Sequence, residues 1–168
     1  MLRMFGAVLL MAGAGGFGFS LVAHERKLER MIRQLRKVLS EMEWELKFRM
    51  TPLPELCRCC SGAAQGELKR LFLMLGDRLA LAEDADVEGC MNALVAQSDL
   101  PGRIKRILRT LARTLGRFDL EGQLAGLMEV KELCSRELEE LENSGRERLR
   151  CYQTLALCAG AGMVILFI

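Results

Sequence analysis

Cys57, Cys59 and Cys60 stand together in the tetrapeptide CRCC, three thiols within four residues. Thiolates at this density can ligate zinc, and Cys90 or Cys134 could complete a sulfur set. Zinc sites usually draw on two well-separated C-x₂₋₄-C pairs, however, and no second pair exists here. On a helix, Cys59 would also point about a third of a turn away from Cys60, so the three thiols would not converge. The residues therefore leave two readings. One is a thiol-based metal-binding or redox protein that uses Cys57, Cys59 and Cys60. The other, which is preferred, is packing, with Cys57 and Cys60 inward and Cys59 exposed.

Other chemistry is sparse. The chain has one histidine, His24, at the edge of an apolar stretch, so it offers no histidine-based ligand set or general base. The glycines of GAGGFG, residues 13–18, look like a dinucleotide loop, but they sit inside an uncharged segment with no preceding strand. No glycine-rich loop runs on into Lys-Ser or Lys-Thr. These residue types assemble no nucleophile, base or metal set, and the reading is a non-enzymatic protein without a cofactor. The seven cysteines, an odd number, do not form the framework of a small secreted disulfide protein and suit a reducing compartment.

The strongest polar signal is LPGRIKRILRTLARTLGRF, residues 100–118, which contains no acid. It carries Arg103, Lys105, Arg106, Arg109, Arg113 and Arg117. Arg106, Arg109, Arg113 and Arg117 step by three, four and four, which puts them on one helix face opposite an Ile/Leu stripe. Such a face can meet acidic protein, anionic lipid or nucleic acid. No aromatic residues interleave with the arginines, which argues against nucleic acid. The partner-binding candidates are Arg103, Arg106, Arg109, Arg113 and Arg117, and an acidic protein surface is the preferred partner. The competing reading is a solvated face balanced by ELEELEN, residues 137–143.

These residues need elements to hold them. Residues 4–23 and 151–168 contain no Asp, Glu, Lys or Arg, whereas the middle of the chain is rich in charge. Mean hydropathy is +0.15 although 27% of residues are charged, and the two ends account for this. A helix rises about 1.5 Å per residue and a bilayer core is about 30 Å thick, so each end is near the length of a membrane span. Both basic flanks lie on the central side: Arg26, Lys27, Arg30, Arg33, Arg36 and Lys37 after the first segment, and Arg146, Arg148 and Arg150 before the second. Lys and Arg stay on the cytoplasmic side, which argues against a cleaved signal at Leu21-Val22-Ala23. The expected organisation is an N-terminal transmembrane helix at 1–24, a cytoplasmic helical bundle at 25–150 and a C-terminal transmembrane helix at 151–168. Small residues at Ala12, Gly16 and Ser20, and at Ala156 and Gly160, are spaced for close helix approach.

Within the bundle, Leu28, Ile32, Leu35, Leu39, Met42 and Leu46 step by four and three, one stripe of a long helix. It stops at TPLPE, where Thr51 is expected to cap a short helix near residues 54–61. Stripes at Leu68, Leu71, Phe72, Leu75 and Leu79, then Val87, Cys90, Met91 and Leu94, then Ile104, Ile107, Leu108, Leu111 and Leu115 predict three more helices. Gly116 should end the last of these, and Asp119 should cap a long helix through Leu120, Leu124, Leu127, Cys134, Leu138 and Leu141, with Lys131 interrupting its stripe. No segment alternates with period two, so the fold class is all-α. The two long helices should run antiparallel, with the shorter ones forming a cap.

Three features together resemble a known family: the apolar ends, LRKVLSEMEWELKFRMTPLPEL at residues 35–56, and LGRFDLEGQ at 115–123. They resemble the stage III sporulation protein AB family of endospore-forming bacteria along essentially the whole chain. Phe118 departs from the pattern, and CRCC is not part of it. The resemblance implies a multi-pass component of the cell membrane in the channel joining mother cell to forespore. Its fold is similar to the F-type platform proteins of type II secretion and type IV pilus machines. It further implies a central domain in the mother-cell cytoplasm that couples a stage III sporulation protein AA-like ATPase to other stage III sporulation channel membrane proteins. A homo-oligomer is compatible with this arrangement. The alternative is a membrane-anchored thiol protein built on CRCC.

Overall fold

The stripe of the first long helix is entirely buried: Leu28, Ile32, Leu35, Leu39, Met42 and Leu46, joined by Val38. Burial of one such apolar row, at roughly 25 cal/mol per Å² removed from water, is what holds a long helix on a bundle. In the computed structural model the backbone is described for residues 2–81, 86–115 and 119–167, and side chains for 25–81, 86–115 and 119–145. The elements are α1 (Leu2–Arg49), α2 (Leu53–Cys60), a 3₁₀ turn (Ser61–Ala63), α3 (Gly66–Leu81), α4 (Val87–Gln97), α5 (Gly102–Thr114) and α6 (Leu120–Phe167). Among the described residues the chain is all-α.

The chain forms two compact units. One combines Met1–Glu25 with Leu138–Ile168, and its described residues are helical. The expected spans at 1–24 and 151–168, with their small-residue rows, lie outside the residues whose side chains are described. Among the described residues no helix is long and apolar enough to cross a membrane. The other unit, Arg26–Glu137, is the helical bundle.

Within that bundle three pairings set the direction of the long helices. Arg36 lies close enough to Cys134 to act on its thiol electrostatically. Lys131 Nζ is 2.7 Å from Glu43 Oε2. Leu46 and Met50 line one cleft with Leu120 and Gln123. Residue numbers on α6 fall as those on α1 rise, so these stretches run antiparallel, as expected. The lysine that interrupts the α6 stripe is half-buried because it has the Glu43 carboxylate to meet.

The first junction differs from expectation. Thr51 does not cap α2. The N-cap is Pro52, which offers no side-chain hydrogen bond, and the hydroxyl of Thr51 donates to Glu45 Oε2 at 2.8 Å. A threonine followed by two prolines could serve either helix, and here it fastens the end of α1. Met50 turns the chain with φ 50°, the left-handed conformation that closes many helices, although it is not glycine. Pro54 sits in the first turn of α2, where no backbone donor is missed.

Consecutive helices then pack pairwise, α2 on α3, α3 on α4 and α4 on α5. The α2–α3 approach is close: a Cβ at Gly76 would fall 2.8 Å from the carbonyl oxygen of Pro54 and 2.9 Å from Arg58 Cγ. Asp86 caps α4 by accepting from the amide of Glu88 at 3.1 Å. At the start of α6, Asp119 Oδ1 accepts from the amide of Gly122 at 3.1 Å, the expected cap. Gly116 lies outside the described residues.

Candidate functional site: the basic face of α5

Helix α5 buries Ile104, Ile107, Leu108, Leu111 and Ala112. The three-and-four spacing that sends these inward sends Arg103, Arg106, Arg109 and Arg113 outward, and all four are exposed. Lys105 is half-buried beside them, and Arg117 lies outside the described residues. The helix contains no acid, so any counter-charge must come from elsewhere.

Much of it comes from one residue. Glu137 on α6 is buried, with its side chain 5% exposed, and it accepts from Arg103 Nη1 at 2.8 Å and from Arg106 Nη2. One carboxylate thus uses both oxygens on two guanidinium groups, and the pairing ties α5 to α6. Arg113 Nε faces Glu88 Oε1 of α4 at 3.7 Å, beyond hydrogen-bond length. Among the described residues Arg109 makes no ion pair. The structure therefore brings four of the five candidate arginines onto one helix and divides them. Arg103 and Arg106 neutralise a buried charge, while Arg113 has only the long Glu88 pair and Arg109 has no ion pair among the described residues.

The sequence names the acidic run 137–143 only as a general counter-charge to the arginine face, and Glu137 is not singled out within it. The available signal was its position: Val130, Cys134 and Glu137 step by four and three, so Glu137 occupies an apolar-stripe position. A carboxylate there requires a cation on the facing helix.

The thiol cluster divides in the same manner. Cys57 and Cys60 are buried and Cys59 is exposed, so the three do not converge. Burial pushes the Cys57 thiol up to about 12. Burial, assisted by Glu41, Cys57, Glu45 and Cys59, pushes the Cys60 thiol up to about 12 as well. Cys134 rises to about 11, again chiefly by burial, with Glu137 raising it and Arg36 lowering it. Groups held this firmly as thiols are poor nucleophiles and poor ligands at neutral pH. Among the described residues, no group of three or more His, Cys, Asp and Glu side chains is placed to hold a metal ion.

The model of the family described as stage III sporulation protein AB matches residues 3–168. Among solved structures, one titled stage III sporulation protein AB shares the fold, with a TM-score of 0.59. The similarity covers 70% of this chain and 94% of that one at 22% identity. No curated protein matches the chain.

Proposed function

Because the chain belongs to the stage III sporulation protein AB family, its model matching residues 3–168, we propose that it is a non-enzymatic platform component of the channel between mother cell and forespore. In this reading helices at 1–24 and 151–168 anchor it in the cell membrane. Residues 25–150 then form a bundle in the mother-cell cytoplasm. The bundle meets a stage III sporulation protein AA-like ATPase, and the membrane helices meet other channel proteins.

The family match carries the sporulation role. The docking role rests on a feature of the bundle that its own core does not consume, the arginines Arg109 and Arg113 of α5. A platform needs a rigid body with a charged contact surface, and thiols such as Cys57, Cys60 and Cys134 packed in the interior are consistent with that. The thiol-based alternative has no support in the geometry of CRCC. The test is isolation of the tagged full-length chain from sporulating cells at low and high salt. The ATPase should co-purify at low salt and be lost as salt screens exposed charge. Recovery of neither the ATPase nor any other channel protein at low salt would remove the platform reading.

A further inference from the structure

The division of the α5 arginines narrows what can dock there, and this inference deepens the ATPase-docking reading above. Arg103 and Arg106 are already engaged by Glu137, whose side chain is 5% exposed. Withdrawing them would leave a carboxylate buried without a partner, so they are poor candidates for an incoming ligand. Arg109 and Arg113 remain, four residues and thus about 6 Å apart along the helix axis. Arg113 has a resident competitor in Glu88, but the 3.7 Å separation and the 73% exposure of the arginine side chain mark a weak pair.

We propose that docking on α5 is an exchange of counter-ions. A partner carboxylate displaces Glu88 from Arg113, a second carboxylate meets Arg109, and Arg103 and Arg106 take no part. The partner is then a protein surface presenting two carboxylates about one helical turn apart. A lipid surface fits poorly, because Ile104, Ile107, Leu108 and Leu111 are fully buried in the bundle and leave no apolar face to enter a bilayer. Nucleic acid fits poorly too, since useful affinity draws on many phosphate contacts and the outward pair is small.

The experiment uses the full chain in lipid nanodiscs and two probes. These are the purified AA-like ATPase and a synthetic helical peptide with Glu at positions i and i+4, with its Gln counterpart as control. Arg109→Glu and Arg113→Glu should each weaken binding of both probes about tenfold or more. Glu88→Gln should tighten it about two- to fivefold, the strength of an exposed ion pair. Arg106→Lys, which keeps a cation near Glu137, should leave affinity unchanged. Tighter binding by Glu88→Gln is the signature, because a merely structural role for Glu88 would leave affinity equal or lower. If Glu88→Gln does not tighten binding of the acidic peptide, or Arg106→Lys weakens it as much as Arg109→Glu does, the exchange is wrong. If the peptide behaves as expected but the wild-type chain ignores the ATPase, the exchange stands and the ATPase reading fails. Anionic vesicles, added as a control beside these two probes, should bind less than the acidic peptide, and equal binding would overturn the protein partner.

Discussion

Glu137 and its two arginines give a sharp energetic test, because the two halves of the interaction should not be equally expendable. Glu137 is buried, whereas the Arg103 and Arg106 side chains are 42% and 62% exposed. Replacing both arginines by Gln leaves the carboxylate in the interior without a cation. The usual cost of such an orphaned charge is about 3–5 kcal/mol, and water entering beside the half-exposed α5 face should hold it near about 3 kcal/mol. Replacing Glu137 by Leu removes the buried charge instead and lets the two guanidinium groups turn to solvent. That change should be within about 1 kcal/mol of neutral, since an apolar group of similar size often substitutes for a buried ion pair without loss. For a bundle of this size 1 kcal/mol moves the midpoint by about 4 °C, so the double Gln variant should melt about 12 °C low and Glu137→Leu close to wild type. Thermal unfolding of the full chain in detergent, followed by circular dichroism, reads both. If Glu137→Leu melts as low as the arginine double variant, the carboxylate stabilises the fold and is not a charge that the arginines merely neutralise.

Three further outcomes follow from the bundle. Cys57 and Cys60 have folded-state thiol values raised from 9.0 to about 12. The unfolded chain therefore loses those protons first, and their stabilising contribution is intact below pH 9 and lost as pH rises toward 12. Unfolding midpoints across that range should fall less steeply in the Cys57→Ala, Cys60→Ala double variant, and equal slopes would dismiss the buried thiols as the cause. At neutral pH a maleimide should modify exposed Cys59 well before Cys57 and Cys60, a difference that disappears in denaturant. Gly76→Ala should cost about 1–3 kcal/mol in chemical denaturation, because its Cβ would meet the Pro54 carbonyl at 2.8 Å and backbone cannot swing aside. No loss would mean that α2 and α3 are further apart.

Much of the fold was legible because burial and period coincide. The rows at Leu28 to Leu46 on α1, at Leu68 to Leu79 on α3 and at Ile104 to Leu111 on α5, with Leu115 just past its end, are all buried. A helix that must hide one face writes that face at steps of three and four. Asp119 was legible for another reason: it precedes an apolar row and has amides to accept from. Thr51 misled because capping depends on which neighbour the hydroxyl reaches. Composition at TPLPE allows both the following amides and the Glu45 carboxylate behind it, and only the left-handed turn at Met50 decides.

The site was half legible for a related reason. An acid-free run of arginines at helical spacing announces an outward basic face whatever the fold, since the apolar stripe determines which side is out. It does not say which arginines are already spoken for. That depends on the register between α5 and α6, set by packing between helices such as the close approach of Gly126 to Thr114, where an added Cβ would fall 2.6 Å from Thr114 Cβ. This register contributes to placing Arg103 and Arg106 over Glu137, and moving α6 by one turn would bring Cys134 or Leu141 to that position. Glu137 is therefore best read as the stripe residue that fixes how α5 sits on α6. Its charge tolerates only one alignment, the one in which two guanidinium groups meet it, and that alignment leaves Arg109 and Arg113 turned toward solvent.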